Sequence, residues 1–304
     1  RGPHHRCSDL VIGPGAMGQG DDLDDVPRPL APAAGRAKRV FLIRHGNSTF
    51  NAWRTKTLWN CSCLCATWTD PDAPLSPEGE RQVAALREEV RRHPGHGPGP
   101  QGGHRGRATW RRGLDARAQL VVASPLRRAL DTALGAFGGA GGDRGAEGGR
   151  RGAPVLAQPL AAERLDTACD VGTPRRDLVA RYPDVDFTLV EDEYWWHGGE
   201  ANWPNPGEPL LREPWSSCRE RIAGLTRWLL SRPETCLVVV GHSAFFQAMT
   251  GAATKLPNCG IREFLLRADG SLLAPPDRAG ETTGCCGGFS PSSASEASSA
   301  SASE

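Results

Sequence analysis

The 304-residue chain has no apolar run long enough to span a membrane, and its longest, from Thr235 to Met249, is broken by Gly241, His242 and Ser243. It therefore reads as soluble. It also lacks a charge imbalance: 36 Lys and Arg stand against 35 Asp and Glu, for a net charge of +1. That balance argues against bulk electrostatic binding of nucleic acid or an anionic membrane. A disulfide framework is missing as well, because the 10 cysteines show no pairing pattern and a chain this long is no small stapled scaffold. They read as reduced thiols. Even Cys61, Cys63 and Cys65 lack the C-x₂-C pairs and partner ligands of common zinc sites, and no carboxylate cluster invites a metal. Internal repeats are absent. A cytoplasmic protein is expected, although a chain that starts at Arg1 leaves targeting open.

What is abundant is glycine and proline, 37 and 25 residues, concentrated in a few stretches that cannot offset their ordering entropy. Residues 1–36 and the Ser/Ala-rich tail at 271–304 are expected to be disordered. Gly/Arg-rich stretches near 91–113 and 135–154 read as insertions outside the core, solvated rather than contacting RNA. One folded domain over 37–270 remains.

Within it, strand-like and helix-like segments alternate. Val40 to Ile43 reads as a buried strand, followed by a long loop. Ser76 then caps a helix with Pro77 in its first turn, and Val83, Leu86 and Val90 follow at helical spacing. Leu120–Ala123 reads as a strand, Leu126–Phe137 as a helix and Val155–Leu160 as a further strand. An amphipathic helix over Cys218–Leu230, an apolar strand over Cys236–Val240 and a helix from Ala244 complete the pattern. Such alternation implies a parallel α/β sheet covered on both faces.

Three of these strands end in polar groups. The first delivers Arg44 and His45, the second Ser124 and then Arg128, and the last His242 and Ser243. Ligand sites of open parallel sheets gather at the carboxyl ends of strands. Two arginines and two histidines meeting at helix N-termini make a strong anion site, suited to phosphate.

RHGNSTFN at 44–51, DAPLSPEGERQ at 72–82, SPLRRALDTA at 124–133, AERLDTACDVGTP at 162–174 and VVVGHS at 238–243 together resemble the histidine phosphatase superfamily, which includes the cofactor-dependent phosphoglycerate mutases. The resemblance implies a three-layer α/β/α sandwich with a mostly parallel central sheet. It also implies hydrolysis of a phosphate monoester through a phosphohistidine on His45, with Glu163 as general acid and base. Arg44, Arg128, Asn51 and His242 would surround the phosphoryl group, and neither metal nor cofactor is implied. Arg128 matches better than Arg127, and Asp166 and Glu200 are substitutes for Glu163. Asn47 stands where many members have Glu, which would alter substrate contacts. The missing segment that mutases use to enclose a bisphosphate favours a phosphatase. The alternatives are mutase-type phosphoryl transfer and a non-catalytic binder of phosphorylated ligands. The expected partner is a small phosphorylated substrate, with no nucleic acid and no membrane. Tyr194, Trp195, Trp196 and Trp203 are expected to pack rather than stack on substrate.

Overall fold

Four consecutive side chains, Val40, Phe41, Leu42 and Ile43, are completely buried, so their strand must be covered on both faces and flanked on both edges. The computed structural model describes residues 37–59, 67–91, 113–138, 152–203 and 209–275. In it these four sit in β1 (Lys38–Arg44), followed by α1 (Thr49–Trp59), α2 (Pro77–Arg91), α3 (Leu114–Arg117), β2 (Leu120–Ala123) and α4 (Arg127–Phe137). Then come β3 (Val155–Ala157), α5 (Arg175–Arg181), β4 (Val185–Asp186), α6 (Trp215–Ser231), β5 (Cys236–Gly241), α7 (Ser243–Thr250), β6 (Ile261–Leu266) and β7 (Leu272–Leu273).

The seven strands form one sheet in the order β4-β3-β2-β5-β1-β6-β7. The first five are mutually parallel, while at the other edge β6 pairs antiparallel with β1 and β7 antiparallel with β6. Alternation along β1 feeds both faces. Phe41 and Ile43 join a cluster with Leu86 of α2, Leu130 of α4 and Leu178 of α5, whereas Val40 and Leu42 join Leu225 of α6 and Phe245 of α7. The result is the three-layer α/β/α sandwich.

Register brings the functional strand ends together. Arg44 pairs with Gly241, and Ala123 pairs with Val240. Beyond them His45 N donates to Gly241 O at 2.9 Å and Ser124 N to Val240 O at 3.0 Å. Ser76 caps α2 by accepting from Gly79 N at 3.1 Å. Gly79 is required there, since a Cβ on it would lie 2.0 Å from Asn47 O. The helix end thus packs directly on the loop that follows His45.

Several expectations need revision. The stretch after β1 is α1 rather than a long loop; it buries little, so no core-facing periodicity announced it. The third strand stops at Ala157 and gives way to a 3-10 turn at Pro159–Ala161. The antiparallel edge was not anticipated, and β7 lies beyond residue 270. Ala136 and Phe137, taken with the second insertion, are buried core. Residues 92–112 and 139–151 of the two insertions, Cys61, Cys63 and Cys65, residues 1–36 and residues 276–304 lie outside the described residues.

A buried carboxylate ties the site's frame together. Asp72, at φ 42°, accepts from Arg127 N at 2.9 Å and from the Thr173 hydroxyl at 2.7 Å. Burial pushes its carboxyl up to about 6, against the pull of those hydrogen bonds and of Arg128. Because the folded value exceeds the unfolded one, its contribution to stability is full below the unfolded pKa and is lost as pH rises through 6, by about 3 kcal/mol. Asp72→Asn keeps the acceptor for Arg127, can donate to Thr173 and tolerates the left-handed backbone. Urea unfolding should therefore find the variant more stable than the parent at pH 7.5 and not at pH 4. A variant less stable at both would show that charge at Asp72 is needed.

Candidate active site

Arg44 and His45 emerge from the carboxyl end of β1 into a cavity of about 1080 Å³. The His45 ring is buried, and its Nδ1–H donates to the carbonyl of its neighbour Gly46 at 2.6 Å. A neutral imidazole carries a single N–H, so this bond assigns the lone pair to Nε2. Burial, and then the charges of Arg128 and Arg44, hold the His45 pKa well below its ordinary value. The ring is therefore neutral at pH 7, as a nitrogen nucleophile must be.

His242 lies against His45, ring centroids 5.1 Å apart, and is fully buried behind it rather than on the cavity wall. Its Nε2 meets Ser124 Oγ at 2.8 Å. That oxygen also accepts from Leu126 N at 3.3 Å, so Ser124 ties the His242 ring to the start of α4. Nδ1 of His242 and Nε of Arg44 are buried polar atoms with no partner. Native proteins rarely leave such atoms unsatisfied, so the site holds more polar atoms than the protein itself uses.

The other expected groups line the same cavity. Arg128, and not Arg127, faces it; its Nη2 donates to Asp170 at 2.9 Å and its Nη1 to Cys169 O at 2.7 Å. Asn51 turns its Oδ1 to Ser48 N at 3.3 Å, which leaves its amide N–H groups as neutral donors. Glu163 Oε1 accepts from Arg164 N and Phe245 N, each at 3.0 Å, while Oε2 has only a longer bond, 3.3 Å, from Ala244 N. Crowding by protein and then the Asp170 charge raise the Glu163 pKa despite these donors. A proton on Glu163 belongs on Oε2, the less engaged oxygen.

Of the substitutes for Glu163, Asp166 lines the cavity but is ion-paired with Arg164 at 2.8 Å, and Glu200 does not line it. Asn47 also points elsewhere: its Oδ1 accepts from Ser76 at 2.8 Å and its N–H donates to Gln82 at 2.9 Å. It braces α2, so the expected effect on substrate contacts is corrected. Trp195 and Trp196 are buried as expected, and Trp203 packs on Trp196 and Tyr194 with ring centroids 5.6 and 5.8 Å apart, while its outer part is 37% exposed and lines the cavity.

Sequence reading missed two supports. Asp170 stood unremarked within AERLDTACDVGTP, because nothing local shows that it reaches Arg128. Arg221 on α6 donates to the carbonyls of Leu160, Ala162 and Glu163 at 3.0, 3.0 and 3.3 Å, and pairs with Glu213 at 2.7 Å. Burial works against the Glu213 charge, yet the Arg221 bond outweighs it and holds its pKa below the usual value. This clasp fixes the backbone that carries Glu163. It also missed that Phe50, Trp53, Arg54, Thr57 and Leu58 all face the cavity. Their i, i+3, i+4, i+7, i+8 spacing was the available signal.

Among the described residues no group of three or more His, Cys, Asp or Glu side chains could hold a metal ion, and no helix is long and apolar enough to cross a membrane. No protein-family model matches the chain. It is 25% identical over 268 residues to a phosphoglycerate mutase-like protein of Arabidopsis thaliana, covering 78% of this chain and 87% of that one. It is likewise 25% identical over 236 residues to phosphoglycerate mutase-like protein 1 of the same plant, covering 69% and 70%. Similar solved structures include a mycobacterial glucosyl-3-phosphoglycerate phosphatase, with 20% identity, a TM-score of 0.42 and coverage of 79% of this chain and 97% of that one. Another is the alpha-ribazole phosphatase of Shigella flexneri, with 16% identity, a TM-score of 0.42 and coverage of 78% and 94%. The chain is thus similar to phosphoglycerate mutase-like proteins, and the superfamily it resembles is that of the histidine phosphatases.

Proposed function

We propose that the domain starting at residue 37 and including β7 is a catalytic domain that hydrolyses a small phosphate monoester through a phosphohistidine on His45. The observation that carries this reading is the 2.6 Å bond from His45 Nδ1 to Gly46 O, which points the lone pair of a neutral ring away from the backbone.

In the first step the Nε2 lone pair attacks phosphorus, an N–P bond forms, and the P–O bond to the leaving alcohol breaks. The Glu163 proton passes from Oε2 to the departing oxygen. Arg44, Arg128 and the Asn51 amide receive the phosphoryl oxygens, whose charge the arginines neutralise in the transition state, while His242 packs behind the His45 ring. In the second step water attacks phosphorus, Glu163 now accepts the water proton, and the N–P bond breaks with its electron pair returning to Nε2. Inorganic phosphate leaves, and the Nδ1–H has stayed on Gly46 throughout.

The test is phosphate release from a panel of phosphate monoesters, followed as kcat/KM against pH. A lowered His45 pKa keeps the nucleophile neutral well below pH 6.5, so the acid limb starts low. Glu163 must be protonated as general acid, so activity falls as pH rises through its raised pKa. Glu163→Gln should lower kcat about a hundredfold or more and abolish that alkaline limb. If the folded protein releases phosphate from none of the esters, the hydrolase reading fails. Return of the phosphoryl group to a second alcohol, with little free phosphate, would instead make it a transferase.

A further inference from the structure

The proposed catalytic groups form only part of the cavity lining, and its volume of about 1080 Å³ lies just above the usual range for small-molecule sites, about 300–1,000 Å³. A phosphoryl group on a three-carbon acid leaves most of it empty. The walls above the floor are aromatic. Four of the nine tryptophans, Trp53, Trp68, Trp203 and Trp215, line the cavity, and none belongs to either apolar core cluster.

On one side Phe50, Trp53 and Trp68 form a trio. Their ring centroids are 5.8 Å apart for Phe50 and Trp53, 5.7 Å for Phe50 and Trp68, and 5.6 Å for Trp53 and Trp68. On the other side Trp203 and Trp215 are 37% and 43% exposed. Trp215 is held from one face by the Arg164 guanidinium at 4.5 Å. Aromatic side chains of this size normally bury themselves unless they have a partner to cover. Phe50 and Trp53 lie on one face of α1 that starts five residues after His45 and lines the same cavity.

The Thr57 hydroxyl of α1 donates to Arg54 O at 3.1 Å, and Thr67, Thr69 and Thr167 add further hydroxyls to the lining. Beside α1 the trio adds ring faces to these polar groups. Arg54 and Lys255, exposed at the rim and in no ion pair among the described residues, add positive charge.

We propose that the site takes phosphate monoesters of planar aromatic alcohols, the aryl group resting against Trp53 and Trp68 while its phosphate meets His45. This rests on the phosphatase reading and gives it a substrate class. Hydrolysis transfers the phosphoryl group to His45 as above, and the phenolic oxygen leaves with the Glu163 proton.

Phenols are good leaving groups on any phosphatase, so the informative comparison is within aryl esters of similar leaving-group acidity. For the full-length protein, kcat/KM for 1-naphthyl phosphate should exceed that for phenyl phosphate about tenfold, as an added stacked ring predicts. In Trp53→Ala that ratio should fall towards one, and Trp53→Phe should keep part of it. A ratio near one in the parent protein, or a ratio unchanged in Trp53→Ala, overturns the proposal. Should no ester be hydrolysed, binding of the inert 1-naphthylphosphonate and phenylphosphonate, read by tryptophan fluorescence, decides separately. A tenfold preference for the naphthyl compound keeps the aromatic subsite while the enzyme reading falls, and equal affinity removes both.

Discussion

His45→Ala is expected to reduce phosphate release by about a thousandfold or more, because no other group on the cavity floor can supply a neutral lone pair to phosphorus. His242 cannot substitute. It lies behind His45, is fully buried, and has Nε2 engaged by Ser124. With the nucleophile gone, the phosphate-binding groups remain, so substrate should still bind while turnover stops. KM or a directly measured Kd should move far less than kcat. The parent protein, quenched early with labelled substrate, should also carry phosphate in an acid-labile, alkali-stable bond, and the variant should carry none. The fold should survive, since the substitution removes one hydrogen bond to Gly46 O and leaves a small void, a cost of about 1–3 kcal/mol. A variant that keeps parental turnover would remove His45 from the mechanism, whatever happened to the other residues.

The proposed site could be foreseen because its residues follow strands that betray themselves. Val40 to Ile43 and Leu237 to Val240 are unbroken buried runs, and polar side chains directly after such runs have no packing reason to be there. The sheet's register then aligns them without further information. What escaped the sequence depends on longer reach. Helix α1 presents Phe50, Trp53 and Leu58 to a cavity rather than to the core, so its pattern describes a surface that does not exist until the loop bearing Trp68 folds beside it. Strand β6, IREFLL, shows no clean alternation, and only its pairing with β1 tells its direction. Asn47 follows His45 closely enough to seem part of the site, yet Gly79 admits the end of α2 so near that Asn47 is taken by Ser76 and Gln82. Partners of buried charges are the least legible of all, because Asp170 and Arg128 meet across 42 residues of chain.

That last pair carries a prediction of comparable size. Arg128 and Asp170 are both buried, and Asp170 Oδ2 additionally accepts from Thr167 N at 3.2 Å and the Thr167 hydroxyl at 3.1 Å. Asp170→Asn preserves shape but strands the guanidinium charge in a site that already holds Arg44, at a cost of about 3–5 kcal/mol. Thermal unfolding should fall by about 6–20 °C. Two consequences distinguish an anion site from a merely structural salt bridge. The Asp170 charge helps to raise the Glu163 pKa, so its removal should move the alkaline limb of the activity profile to lower pH. An added phosphate dianion would restore the missing negative charge, so millimolar phosphate should raise the melting temperature of Asp170→Asn by more than it raises that of the parent. Equal stabilisation of both proteins would mean that Arg128 is spent on holding the 167–170 turn, and Arg44 would then bear the phosphoryl charge largely alone.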